Sequence, residues 1–63
     1  MNVNVGDRVQ VDLTGLNPVL QRGCIMPAVV KRIEGENRIV VQVTPVNGQS
    51  EFTVDPSRIV SVR

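Results

Sequence analysis

Apolar and polar residues alternate with a period of two along much of this 63-residue chain, which is the pattern of half-buried β-strands. Val3 and Val5 begin the alternation and Gly6-Asp7 interrupts it. It resumes as Arg8-Val9-Gln10-Val11-Asp12-Leu13, with Val9, Val11 and Leu13 on one face and Gln10 and Asp12 on the other. Thr14-Gly15 ends this first predicted strand. From Leu16 to Cys24 no steady period follows, and Gly15, Pro18 and Gly23 punctuate the stretch, so it reads as a long loop. The loop is nonetheless apolar, with Leu16, Val19 and Leu20 ahead of Ile25 and Met26. These side chains either fold back as a lid over the end of a barrel or form an exposed patch that meets a protein partner.

Pro27-Ala28-Val29-Val30-Lys31-Arg32-Ile33 predicts a second strand, with proline at its start, where a missing donor is tolerated. Its alternation is imperfect. A three-residue loop of Gly35-Glu36-Asn37, with Asn37 left-handed, sets Ile33 opposite Ile39. Carried further, that register turns Lys31 inward beside Val41. One extra residue near Lys31-Arg32 instead places Val30 by Val41 and Ala28 by Val43, which predicts a β-bulge there. The next hairpin turns on Asn47-Gly48, both of which accept the positive φ of a type I′ turn. A two-residue loop sets Val46 opposite Gln49, Val43 opposite Phe52 and Val41 opposite Val54. Thr44 then faces Glu51, Gln42 faces Thr53, and Pro45 falls opposite Ser50 at a position needing no donor.

Asp55-Pro56 predicts a capped single helical turn of the 3₁₀ type through Arg58. Ile59-Val60-Ser61-Val62 closes the chain as a short strand. Five strands joined by tight turns, with no helical period, predict one all-β domain over 1–63: a five-stranded antiparallel barrel with one short 3₁₀ turn before the last strand.

Composition sharpens this picture. Valine and isoleucine dominate, and Phe52 is the one aromatic residue, a β-sheet composition. A core this small supplies about 3–5 kcal/mol, so such scaffolds commonly add a disulfide, a metal or a partner subunit. One cysteine and no histidine exclude an internal disulfide and argue against structural zinc. Oligomerisation, or docking into a larger assembly, is the remaining expectation. The net charge of +1 makes no strong field for nucleic acid or membrane. No apolar run approaches the roughly 20 residues of a membrane span, and Met1-Asn2-Val3-Asn4 lacks the regions of a signal peptide. A free thiol and no export signal lead to the expectation of a cytoplasmic protein.

Gly6-Asp7-Arg8-Val9, the long loop, the Pro-Ala-Val-Val-x-x-Ile strand and the helical turn before a short last strand together resemble small SH3-like barrels. The Tudor, agenet and KOW groups share this layout. The resemblance implies an SH3-like barrel. Tudor-type readers of methylated lysine use an aromatic cage, which Phe52 alone does not supply. The chain also resembles plasmid-borne type II dihydrofolate reductase at Gly6 to Val9, and in layout from Val54 to Ile59. That family works as a tetramer around a shared pore. Where its functional strand carries Val-Gln-Ile-Tyr this chain has Ser50-Glu51-Phe52-Thr53, so the cofactor-contacting residues are absent.

The chain offers little for catalysis, which needs titratable groups converging in a pocket. Asp7, Asp12, Glu34, Glu36, Glu51 and Asp55 are the carboxylates, and each has a turn, a cap or an outward position to explain it. Cys24 has no histidine to activate it, and no phosphate-binding glycine loop is present. The expected function is therefore a non-enzymatic interaction module without cofactor or metal, meeting a protein partner or its own copy through Leu16, Val19, Leu20, Ile25 and Met26. One alternative is a nucleic-acid binder, with Lys31, Arg32 and Arg38 contacting phosphates but no aromatic platform for bases; the other, implied by the resemblance alone, is a tetramer like the type II reductase. Arg22, Arg58 and Arg63 are further cations, scattered among the six acids.

Overall fold

A computed structural model describes residues 3–62, so Met1, Asn2 and Arg63, weighed above, lie outside the described residues. The strands are β1 (Arg8–Asp12), β2 (Ile25–Gly35), β3 (Arg38–Val46), β4 (Gln49–Val54) and β5 (Ile59–Val62), with a 3₁₀ turn over Pro56–Arg58. All pair antiparallel in one sheet of order β4-β3-β2-β1-β5. The expected all-β architecture with its late 3₁₀ turn is therefore present. Closure is not: β4 and β5 stand at opposite ends of the order with no ladder between them. The sheet curls enough for Val9 and Val11 of β1, Phe52 and Val54 of β4, and Ile59 of β5 to share one core. Where a closed barrel would have a ladder, the loop after β1 helps fill the gap. Leu13 and Leu20 are buried there, and Asn17 Nδ2 donates to Gln49 Oε1 at the start of β4 (3.1 Å).

The alternation in β1 survives intact: Val9, Val11 and Leu13 are buried, while Gln10 and Asp12 face outward. β2 begins two residues before its predicted start, at Ile25. It bends at the predicted bulge. Val30 pairs with Val41 and Arg32 with Val40, which leaves Lys31 as the extra residue. That insertion keeps Lys31 out of the core, where an unpaired ammonium is costly. Ile33 does pair with Ile39, but the loop beyond is shorter than predicted. Gly35 pairs with Arg38, the register slips at Glu34, and the turn is Glu36-Asn37. Asn37 is not left-handed; among the described residues Asn47 is the one non-glycine with positive φ.

At the second hairpin Asn47 (φ 51°) and Gly48 (φ 81°) adopt the expected turn and Val46 pairs with Gln49. Further along, the register differs from expectation by two residues. Phe52 pairs with Val41 rather than Val43, Val54 with Ile39, Glu51 with Gln42 and Thr53 with Val40. The slip lies between Gln42 and Val46, so Pro45 sits in an irregular stretch and not opposite Ser50 in a regular ladder. A residue with no N–H is readily placed where the ladder is broken. A shift of two is one side-chain period, so every face is preserved. Val43 and Phe52 are both buried in the same core.

The 3₁₀ turn is built as its sequence predicts. Asp55 caps it, its carboxylate accepting from the Ser57 N–H at 3.1 Å, with Pro56 in the first turn. Arg58 then reaches across to donate Nη1 to the carbonyls of Asp12 (3.2 Å) and Thr14 (2.9 Å), tying the turn to the end of β1.

Candidate functional site

The loop residues assigned to a docking patch are divided by the structure. Leu20 is buried in the core, a correction to its assignment as a contact residue. Leu16 and Met26 are half-buried against the core. Val19 and Ile25 remain more than half exposed. Burial and exposure are thus divided between different residues of one stretch. The turn Leu13–Leu20 holds itself by backbone bonds, Gly15 N–H to Leu20 O (2.6 Å) and Leu20 N–H to Asn17 O (2.8 Å).

Lys31, Arg32 and Arg38 do come together on the outer face, but each is paired with a carboxylate. Lys31 meets Glu51 across β3, Arg32 meets Glu34 (2.9 Å) and Arg38 meets Glu34 (3.6 Å). The hydrogen bond and charge of Lys31 hold the Glu51 carboxyl below its usual range, and those of Arg32 do the same for Glu34. Two anions offset two of these three cations, and the one net positive charge that remains is a weak field for a phosphate backbone.

The remaining carboxylates are engaged in local turns. Asp7 accepts from the Asn4 N–H (2.8 Å) and Asp12 from the Thr14 N–H (3.0 Å). Hydrogen bonding from the Thr14 side chain, then from its backbone, with Arg58 nearby, lowers the Asp12 carboxyl. A lowered carboxyl is the opposite of what a general acid needs. The Cys24 thiol donates to the Arg22 carbonyl (3.2 Å) and packs partly against the core. In the strand compared above with the reductase, Phe52 is buried and Glu51 is bonded to Lys31. Among the described residues no three of His, Cys, Asp and Glu cluster as metal ligands, and no helix is long and apolar enough to cross a membrane.

What the sequence reading missed lies on the outer face of β2. Ile25 through Val30 are six successive apolar residues. Met26, Ala28 and Val30 face the core, whereas Ile25, Pro27 and Val29 face outward and are exposed. Continuous apolar runs mark strands covered on both faces, yet this chain covers only one. On either side of this ridge stand polar columns set by the registers Asp12↔Ile25, Gln10↔Pro27 and Arg8↔Val29↔Gln42. Among the described residues Arg8 makes no ion pair.

A cleft of about 360 Å³ opens beside the ridge, with Val9, Ala28 and Val43 as its floor and Arg8, Gln10, Pro27, Val29, Gln42 and Thr44 at its rim. The backbone explains why. Val30 directs its N–H to Asp7 O (2.9 Å) and its C=O to Gly6 N–H (2.8 Å), both on the β1 side. Backbone groups alternate sides along a strand, so Pro27 directs its nitrogen toward β3. It has no N–H to give there, and the β2–β3 ladder ends two residues short of it, at Val29↔Gln42. The strands part, and the cleft lies between them. The chain matches no known family model, no curated protein and no solved structure.

Proposed function

We propose that this protein is a non-enzymatic interaction module whose docking surface is the outer face of β2, presented by Ile25, Pro27 and Val29. The supporting observation is the mismatch between a six-residue apolar run and a strand covered on one face only. In this reading the chain works as a self-associating unit or as a subunit of a larger protein assembly, which supplies the second cover. That assembly also adds to the stability of a core of this size. A cytoplasmic setting and an SH3-like kinship belong to the same proposal, supported by the unpaired Cys24 and by the five antiparallel strands with their late 3₁₀ turn.

The test is the native mass of the full chain, fixed by cross-linking in its own cells before extraction so that a weak assembly is not diluted apart. The module is expected to migrate well above the 6.9 kDa of one chain, and Val29→Glu is expected to return it to monomer mass while leaving it folded. Wild-type protein migrating at monomer mass defeats the reading.

A further inference from the structure

The geometry points to a second copy of this chain as the occupant of the β2 face, related by a two-fold axis that lies across the strands at the level of Gln10 and Pro27. The inference rests on the docking surface proposed above and names what covers it. The face is complementary to itself in charge and in shape of residues. Down the outward column of β1 run Arg8, Gln10 and Asp12, a cation and an anion equally spaced about an amide. Their partners on β2 are Val29, Pro27 and Ile25, two branched aliphatics spaced about a proline. A half-turn about an axis perpendicular to the strands and parallel to the sheets lays β1 on β1 and β2 on β2, with directions reversed. Arg8 of each copy then faces Asp12 of the other, Gln10 faces Gln10, Val29 faces Ile25 and Pro27 faces Pro27. The Arg8–Asp12 contact therefore forms twice, as an isologous interface requires.

The two charged groups suit this arrangement. Arg8 is exposed and has no carboxylate partner among the described residues. Asp12 accepts from the Thr14 N–H at Oδ1 and from the Thr14 side chain, and a carboxylate has further lone pairs with which to accept a guanidinium. Facing sheets pack about 10 Å apart, a separation that two aliphatic side chains, or an arginine and an aspartate, span. A partner of uniform charge would satisfy one end of the β1 column and repel the other; the chain itself satisfies both. The interface is expected to be modest. A standard one buries about 800 Å² per partner, a fifth of the 4086 Å² this chain exposes, and one face of three strands offers less.

Sedimentation of the purified full chain over a range of about 1 µM to 1 mM tests this, with the circular dichroism of each variant as the check on folding. Wild type is expected to pass from monomer to dimer within that range. Arg8→Glu, which sets Glu against Asp12 twice, is expected to raise the dimer Kd tenfold or more. Asp12→Asn keeps the oxygen that accepts from Thr14, so the turn survives. It should weaken the wild-type dimer and strengthen the Arg8→Glu dimer, a reversal of sign that a merely structural role does not produce. A dimer in which Asp12→Asn acts in the same direction in both backgrounds overturns the two-fold arrangement. A chain that stays monomeric throughout overturns the second copy as occupant, while the native-mass experiment separately decides whether the β2 face docks at all.

Discussion

Val40 and Val29 lie on the same outer face of one sheet, on adjacent strands, and meet opposite fates. Val40 is 2% exposed although it points away from the core, whereas Val29 is 42% exposed. The difference lies in their neighbours. Beside Val40 stand Arg32 on β2 and Thr53 on β4, and the Lys31–Glu51 pair spans from β2 to β4 across β3. The stems of long charged side chains bury apolar surface while their heads stay in water, so ion pairing here holds a cover in place. Beside Val29 stand Arg8, which makes no ion pair among the described residues, and the uncharged Gln42. Charge pairs on a surface contribute little to stability by themselves. Their consequence here is to decide which apolar residue is available to another molecule.

Replacing each valine by aspartate is the strongest way to break this comparison. Val40→Asp places a charge where no water reaches and is expected to cost about 3 kcal/mol or more. Val29→Asp, in a monomeric sample, is expected to cost about 1 kcal/mol or less. Urea unfolding of both reads the contrast, and equal losses would show that Val40 is not shielded as described. Stripping the cover with Lys31→Ser and Arg32→Ser together should make the Val40 region resemble the Val29 region. The urea midpoint falls by less than for Val40→Asp, and binding of a hydrophobic dye rises; unchanged dye binding would assign the shielding to other residues.

Acid sharpens the contrast more gently. Glu34 and Glu51 titrate below their ordinary 4.5 in the folded chain. A depressed carboxyl contributes stability that is fully present above the unfolded value and lost as pH falls through the folded one. The cover over Val40 should therefore hold above pH 4.5 and loosen below it, followed by hydrogen exchange of β3 amides, with Glu34→Gln and Glu51→Gln removing the dependence. Smallest of all is salt. The ion pairs are exposed, so raising ionic strength screens them and should slightly raise exchange near Val40, while leaving the Ile25–Val29 ridge as it was.

Local chemistry made several features legible before any coordinates. Asn47-Gly48 had to turn, because those two residues accept positive φ; Asp55-Pro56 had to start a helical turn, because one caps and the other lacks an N–H. The bulge at Lys31 followed from the cost of turning its ammonium inward. Less legible were features set by long-range partners. The hairpin register slipped by two between Gln42 and Val46, which no count outward from the turn reveals. Arg58 read as one more surface cation, although it bonds carbonyls more than forty residues earlier in the chain. Asn17 read as loop, although it is 7% exposed and ties that loop to Gln49.

Of the candidate site, only Ile25 was named in advance. The apolar loop drew the eye because its residues lack a period, yet Leu20 is core and Leu16 half-buried. The true anomaly was the run from Ile25 to Val30. Its outward members are visible as outward only once β1 fixes which way each residue faces.

By itself the sequence determined that there are five strands, the faces of β1, β3 and β4, and the turns at Asn47-Gly48 and Asp55-Pro56. Each follows from the stereochemistry of a few adjacent residues and from a side-chain period of two that survives a two-residue slip. Only the tertiary structure decided which outward residues are covered. That depends on whether side chains from neighbouring strands, distant in sequence, meet above them: Lys31 and Glu51 do so across β3, and among the described residues no ion pair does so beside Ile25, Pro27 and Val29.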